Sequence, residues 1–234
     1  GDPYPKTTPT VCPQVLQQMP LFRTLSAETQ QALAASAVRR RFDAGQVIYL
    51  EGEPAEAVYI LEAGWVKATR MTREGREQAL MFLRPVDIFG DIAVLAGTPY
   101  PGTVIALEAV QVWSIPAQTL HALIARYPDL AQAAIRHLAQ RVLHYVNLVE
   151  DLSLRSVEAR LAKTLLENAQ LTGGQLCVPR REWTTFEEMA VRLGTVRDVL
   201  GRVLRTMEAE KLIRVEKQAI ILLDPRGMAE RANR

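Results

Sequence analysis

The sequence predicts an α+β protein with an N-terminal antiparallel β-roll, a long helix and a C-terminal winged helix-turn-helix. Between residues 42 and 116, short apolar runs alternate with glycine, proline and charged turns, which is typical of an antiparallel sandwich or roll. A heptad pattern follows over residues 135–152, and two short amphipathic helices with a glycine turn lie within 184–213. With 234 residues, 48% of them apolar, the chain has enough material for one large core or two modest ones.

Composition excludes several classes of protein. No run of 18 or more apolar residues is present, so no membrane partner is expected. The two cysteines, Cys12 and Cys177, lie far apart and match no disulfide framework, zinc finger or iron–sulfur spacing, which favours a reducing cytoplasm. His121, His137 and His144 all fall in helical stretches and are expected to be surface or packed side chains.

The roll and its flanking helices are expected over residues 14–128. Residues 14–41 are helical in pattern, with Ser26 as an N-cap. The strands of the roll are the runs QVIYL, AVYILEA, WVKATRM, QALMFL and VQVWSI, which are separated by turn residues.

A dimerisation helix is predicted over residues 129–153. Apolar residues recur there at alternating spacings of three and four, with β-branched residues at one core position, a choice that favours a parallel two-stranded coiled coil. The predicted dimer interface is Ile135, Leu138, Val142, Tyr145, Val149 and Leu152. The alternative is a helix that packs only on its own sheet.

The winged helix-turn-helix is expected over residues 154–234. A helix at about 155–169 ends at residues 171–174, and a short strand, QLCVP, follows. Thr184 with Glu187, or Thr185 with Glu188, fits a capping box, and Leu193-Gly194-Thr195 ends the first helix of the pair and caps the second. The segment LIRVEKQAIILLD predicts a small hairpin, the wing.

One face of the second helix carries arginines that suit DNA. The planar guanidinium donates two hydrogen bonds to the O6 and N7 atoms of guanine, so Arg197 and Arg202 are the expected base readers. Asp198 either accepts from a cytosine amino group, completes the Thr195 cap or pairs with Arg202. The basic excess of residues 153–234, with 15 Lys and Arg against 11 Asp and Glu, also indicates a polyanion partner. The predicted DNA-binding residues are Thr184, Thr185, Thr195, Arg197, Asp198, Arg202 and Arg205.

The motif LGTVRDVLGRVLRTMEAEKLI, residues 193–213, resembles the Crp/Fnr superfamily of transcription regulators, as do FGDIAVLAGTP and the earlier DAGQVIYLEGEPAEAVYILEAGWVK. Arg197, Asp198 and Arg202 match the family pattern of Arg, an acidic residue, three residues and Arg. The resemblance covers about residues 14–224 and implies a cyclic nucleotide-binding-like β-roll, which is a double-stranded jelly roll. It implies an effector pocket formed by Gly90, Asp91, Ile92, Ala93, Tyr100, Pro101 and Thr103.

The resemblance also implies a phosphate-binding cassette that starts at Gly90-Asp91 and ends at an arginine. Tyr100 stands at that arginine's position, and no Lys or Arg lies between Asp87 and Pro116, so a cyclic nucleotide is disfavoured as the effector. A cation from Arg84 or from the partner subunit's helix is the alternative. An iron–sulfur cluster is disfavoured for want of cysteines, whereas haem is not excluded, and the cofactor is left unknown.

These expectations combine into a homodimeric regulator that binds a palindromic double-stranded DNA operator and is controlled by an unidentified small-molecule effector. RNA polymerase is a further partner, which activation of transcription would require. The alternative is a small-ligand-binding module without DNA output. Catalysis is not expected, because no nucleophile–base pair or P-loop, zinc-protease or dinucleotide motif is present.

Overall fold

A computed structural model of the chain describes residues 14–75, 77–179 and 185–233. The chain divides into two compact units, residues 1–141 and 142–234. The α6 helix, Pro128–Leu154, contributes to both.

The first unit is built around an antiparallel β-roll of two sheets. One sheet has the strand order β1-β8-β3-β6 and the other β2-β7-β4-β5, with neighbouring strands antiparallel. The strands are β1 (Val38–Phe42), β2 (Val47–Tyr49), β3 (Ala57–Ala63), β4 (Val66–Met71), β5 (Glu77–Leu83), β6 (Ile88–Phe89), β7 (Thr103–Ala106) and β8 (Val110–Pro116). The predicted roll is confirmed.

Alternation along the central strand β3 divides its side chains between two cores, because successive residues point to opposite faces of a sheet. Tyr59 and Leu61 face the interior of the roll, and Ile60 faces a second core together with Trp113 of β8. The second core is covered by the helices α1 (Gln14–Gln18), α2 (Pro20–Arg23) and α3 (Ala27–Ser36) and by α5 (Ala117–Arg126) and α6.

The prediction of helix throughout residues 14–41 is wrong at its C-terminal end. Ser26 does cap α3, since its hydroxyl accepts the N–H of Thr29, but α3 ends at Ser36. Residues 38–42 form β1, an edge strand whose whole length pairs with β8. The hydrogen-bonding demand of the β8 edge therefore overrides the helical pattern of this basic segment.

The second unit packs three helices and a helical tail against a four-stranded sheet of order β11-β12-β10-β9. Its elements are α7 (Val157–Glu167), β9 (Gln170–Thr172), β10 (Gln175–Pro179), α8 (Phe186–Arg192), α9 (Arg197–Ala209), β11 (Ile213–Val215), β12 (Ala219–Leu222) and α10 (Pro225–Ala232). Their apolar side chains share one core that includes Leu161, Leu165, Leu200, Met207 and Ile213.

Two details of this unit differ from prediction. The helix expected to end at residues 171–174 ends at Glu167, and residues 170–172 form β9, which pairs with β10. Gly173 and Gly174, both at positive φ, make the tight turn that joins the two strands. Helix α10 is not predicted from the sequence; it begins at Pro225 under an Asp224 cap and packs on α7.

Candidate DNA-binding and effector sites

The turn between α8 and α9 forms as the sequence predicts. The Thr185 hydroxyl accepts the N–H of Glu188 and so caps α8, whereas Thr184 lies outside the described residues. Gly194 has φ +63°, a left-handed conformation that favours glycine, and it ends α8 by bonding back to Val191. The chain thereby changes direction within a few residues.

A buried arginine of α7 holds this turn in place. Arg160 is only 7% exposed, and its Nε donates to the carbonyl oxygen of Leu193 at 2.8 Å. Its Nη1 donates to the carbonyl oxygen of Arg155 at 2.7 Å. Since Leu193 is the C-cap of α8, the guanidinium ties α7 to the point where α9 departs.

Helix α9 presents an apolar face inward and a charged face outward. Leu200, Leu204 and Met207 are buried in the core of the unit, which fixes the rotation of the helix about its axis. The exposed positions include Arg197, Asp198, Arg202 and Arg205, which line one polar cleft with Phe186, Gly201, Leu204, Glu208 and Val215. Within the described residues, the side chains of these three arginines and of Asp198 form no hydrogen bond or ion pair.

The start of α9 contradicts one prediction. The N-cap is Val196, with φ −111° and ψ 156°, and not Thr195, and no side chain caps the helix. The Thr195 N–H instead donates to the carbonyl oxygen of Ala190 in α8. The two local roles considered for Asp198, completing a Thr195 cap and pairing with Arg202, are therefore both wrong.

No packing contact within the described chain requires a glycine at position 201, in the middle of α9. A Cβ atom added there would meet only the Arg205 Nη1 atom, at 3.6 Å, an ordinary van der Waals distance. A glycine in a helix interior costs about 1 kcal/mol relative to alanine. This position is therefore open towards the same cleft as the arginines.

The predicted wing is the β11–β12 hairpin, in which Ile213 pairs with Leu222 and Val215 with Ile220. The Glu208 carboxylate on α9 accepts the backbone N–H of Val215 at 2.7 Å. This bond ties the wing to the arginine-bearing helix, so the two border the same cleft.

Inside the β-roll, Tyr100 occupies the position expected for a phosphate-binding arginine. Its ring is 3% exposed and stacks on Tyr49 with centroids 3.7 Å apart, and Tyr59 and Phe89 complete the aromatic cluster. The hydroxyl donates to the Ala57 carbonyl oxygen at 2.7 Å and accepts the Ala57 N–H at 3.1 Å. Burial raises the pKa of Tyr100 to about 12, so the phenol stays neutral and keeps the proton that it donates.

Asp91, at the start of helix α4 (Asp91–Ala96), is buried and doubly paired with α6. The Arg141 Nη1 atom lies 3.0 Å and 2.9 Å from the two carboxylate oxygens, and the His137 Nε2 atom lies 3.0 Å from Oδ2. Burial acts to raise the pKa of Asp91, but the His137 hydrogen bond and the Arg141 charge outweigh it and leave the pKa below its ordinary value. An ionised carboxylate only accepts, so His137 Nε2 is the donor.

Arg84, one cation source considered for the cassette, has its guanidinium stacked on Trp65 at 4.1 Å. The cation that pairs with Asp91 in the structure is Arg141, on a helix 50 residues further along the chain. His137 is likewise more than a packed or surface histidine. No local signal linked either residue to Asp91, because their approach depends on how α6 lies on the roll.

The remaining residues of the predicted effector pocket are dispersed. Ala93 is buried and Gly90 holds φ +78°, where an added Cβ would approach the Ala57 carbonyl oxygen to 2.9 Å. The Thr103 hydroxyl accepts the Glu51 N–H at 2.9 Å. Ile92 and Pro101 are exposed to solvent.

Asp91 and His137 border a partly open apolar cavity of about 80 Å³ under the N-terminal helices. Its walls include Leu16, Phe22 and Ile60. An apolar cavity of about 150 Å³ admits benzene, so this one has no room for a nucleotide.

The predicted interface on α6 lies open to solvent. Ile135, Val142 and Val149 are 67%, 59% and 61% exposed, whereas Leu138 is half-buried and the Leu152 side chain lies outside the described residues. Tyr145 is 36% exposed. Two further exposed apolar residues, Leu143 and Val146, widen the stripe beyond the predicted set.

Two family matches cover the chain in succession. Residues 39–127 match the cyclic nucleotide-binding domain family, and residues 159–231 match the Crp-like helix-turn-helix domain family. The chain belongs to the Crp/Fnr superfamily of transcription regulators. Its members pair a cyclic nucleotide-binding-type domain with a DNA-binding helix-turn-helix, so this Crp/Fnr-type regulator is a DNA-binding protein and not a ligand-binding module alone.

Relatives of known name extend over most of this Crp/Fnr-type regulator. A CRP-like cAMP-activated global transcriptional regulator of Mycobacterium tuberculosis is 29% identical over 94% of this chain and 99% of its own. A global nitrogen regulator of Synechococcus elongatus is 27% identical over 81% and 87%. Among solved structures, a CRP/FNR-family transcriptional regulator from Thermus thermophilus aligns with a TM-score of 0.61 at 26% identity, over 84% of this chain and 99% of its own.

Within the described residues, no helix is both long and apolar enough to cross a lipid bilayer. The same part of the chain contains no cluster of three or more His, Cys, Asp or Glu side chains suited to a metal ion.

Asp91→Asn is expected to lower the free energy of unfolding by about 1–3 kcal/mol at pH 7, because the buried partners lose a charged acceptor. The Asp91 pKa is depressed in the folded state, so its contribution is present above the unfolded pKa and disappears as the pH falls through the folded pKa. Urea unfolding between pH 7 and pH 3 should show the gap between wild type and variant narrowing towards acid.

The control is Asp43→Asn, which changes an exposed carboxylate without a side-chain partner among the described residues. It should leave the unfolding free energy nearly unchanged across the range. A wild-type-to-Asp91→Asn gap of constant size down to pH 3 would contradict the assigned ion pair.

Proposed function

We propose that this Crp/Fnr-type regulator acts as a homodimer on a palindromic operator, with α9 of each protomer reading one half-site in the major groove. The observation that carries the proposal is the exposed charged face of α9. Arg197, Arg202 and Arg205 border one open cleft and have no partner within the described residues. Cations left unsatisfied on one face suit a polyanion.

The positions of the arginines along α9 support a different task for each part of the helix. The N-terminal end of a recognition helix meets the base edges, so Arg197 and Arg202 read guanine through paired bonds to O6 and N7. Arg205 lies further along the helix and contacts phosphate. Gly201 has no side chain, so the DNA backbone can approach the helix closely at this position. This explains why a glycine stands there, although no neighbour in the described chain requires one.

Arg197→Ala and Arg202→Ala are each expected to weaken operator binding by about 1–3 kcal/mol and to relax the sequence preference at one base position. The reason is that each substitution removes a two-bond contact to one base. Mobility-shift titrations on the selected operator, and on copies with each half-site base changed, measure both effects.

The matched control is Arg226→Ala. Arg226 is an exposed arginine on α10, without a side-chain partner among the described residues and outside the α9 cleft. The control lowers the net charge by the same amount, so an equal loss of affinity would mean that the α9 arginines act only through general electrostatics.

The dimer forms when the exposed apolar stripe of α6 packs against the same stripe of a second copy of the chain. Several large apolar side chains spaced along successive turns of one helix are costly to leave in water, and their heptad spacing matches a coiled-coil partner. A palindromic operator also demands two recognition helices related by a two-fold axis.

Val142→Glu combined with Val149→Glu is expected to convert the dimer to a monomer, because two carboxylates per chain would be buried at the seam. Native mass spectrometry and analytical ultracentrifugation read out the mass. Asn147→Glu, which adds a carboxylate on the opposite side of the same helix, should remain dimeric.

A dimer that survives the double substitution would place the interface elsewhere. A wild-type chain that is monomeric at micromolar concentration would overturn the dimer proposal.

The effector is not a cyclic nucleotide. Two groups that would meet such a ligand already have partners in the chain: Tyr100 is bonded to Ala57 and stacked on Tyr49, and Asp91 is paired with His137 and Arg141. No residue from 88 to 115 is cationic, and Arg141, which lies beside the cassette, is already paired with Asp91. Loss of a charge-assisted contact to phosphate weakens binding by about 1.5–3 kcal/mol.

Calorimetric titration with cyclic AMP is expected to show no saturable binding, and operator affinity should be the same with and without the nucleotide. Saturable binding at micromolar cyclic AMP, with a change in operator affinity, would overturn this part of the proposal. An absorption spectrum of protein from its own host tests for haem on the same sample.

Catalysis plays no part in the proposed function, and contacts with RNA polymerase would be needed only if the regulator activates transcription. A DNA target agrees with the cytoplasmic location predicted from the cysteine content. Both the polymerase contact and the location stay predictions.

A further inference from the structure

Val196 is an apolar side chain in a place where the sequence could have used a polar one. It lies at the N-cap of α9 and is 59% exposed. Among the described residues of α8, α9 and the turn between them, it is the one large apolar side chain that is exposed to this extent. The residues that follow it, Arg197 and Asp198, are charged and exposed.

The choice of valine is unfavourable for the free protein in two ways. Serine, threonine, asparagine or aspartate at an N-cap accepts an N–H of the first turn and stabilises the helix, whereas valine cannot, and α9 has no side-chain cap. The isopropyl group also stays in water instead of joining the core formed by Leu200 and its neighbours. Local rules are broken most often at functional sites.

The position of Val196 specifies what an apolar group there would meet. Residues at the N-terminal end of a recognition helix lie against base edges, and Val196 directly precedes Arg197. Among the groups that base pairs present in the major groove, the thymine C5-methyl is the apolar one. Contact between two apolar groups removes both from water and favours thymine over the other bases.

We infer that the Val196 isopropyl group packs on the C5-methyl group of a thymine in each operator half-site, which makes Val196 a specificity-determining residue beside the base read by Arg197. This inference rests on the proposed function, since it needs α9 in the major groove. It adds a hydrophobic contact to a recognition surface that the arginines alone would make purely polar.

The experiment removes the methyl group from the DNA and the isopropyl group from the protein, separately and together. An operator is first obtained by sequencing random duplexes retained by the wild-type protein. Each thymine of one half-site is then replaced by deoxyuridine, which lacks only the C5-methyl. Wild-type affinity is expected to fall roughly 3- to 5-fold at one thymine and to change little at the others.

Val196→Ala and Val196→Ser should bind the thymine operator more weakly than wild type and should bind the thymine and deoxyuridine operators equally. Val196→Ser also keeps the test independent of folding, because its hydroxyl caps α9 and should raise the thermal unfolding midpoint while affinity falls. Leu171→Ala is the control. It truncates a 74% exposed apolar side chain on β9, at the sheet edge opposite β11, and should behave as wild type on every operator.

The outcomes separate this inference from the proposed function. If the selection recovers no operator, both fail. If an operator is recovered but every deoxyuridine replacement affects wild type and Val196→Ala equally, the arginine recognition stands and the Val196 contact is wrong. The Val196 contact is also wrong if the selected half-site contains no thymine.

Discussion

The burial of one helical stripe controls how the second unit presents its charges. Leu200, Leu204 and Met207 recur at the helical period and must leave water together, which leaves α9 a single rotation about its axis. That rotation turns Arg197, Arg202 and Arg205 outwards into one cleft. Burial of the apolar face by the hydrophobic effect is enough to orient the arginines, so they need no interactions of their own to face outwards.

Around that stripe, a few polar bonds set the position of the helix along and across the unit. The buried Arg160 guanidinium holds the end of α8, and Glu208 ties α9 to the wing through the Val215 N–H. The Arg160 bond is buried, so few competing partners reach it. Together with Gly194 in the turn, these bonds fix where the N-terminal end of α9 lies. DNA recognition depends on the position of that end.

In the first unit, groups of the chain itself satisfy the buried polar atoms of Tyr100 and Asp91. Tyr100 fills space with its ring and satisfies both polar groups of the Ala57 peptide with its hydroxyl. Asp91 would be costly to bury alone, and Arg141 and His137 make its burial tolerable by neutralising it. Tyr100 and Asp91 thus find the partners for their buried polar groups within the chain itself.

The sequence by itself determined the order of the domains, the helix pair, the wing and the arginines of α9, and, within the roll, the strands β2, β3, β4, β5 and β8. These follow from local periodicity, turn residues and caps, which act over distances of a few residues. Only the tertiary structure decided that Val38–Phe42 is a strand, that residues 170–172 pair with β10, and that Asp91 meets Arg141 and His137. In most of these cases, groups tens of residues apart in the chain satisfy one another's hydrogen bonds or charges. No local sequence pattern encodes which distant groups will meet.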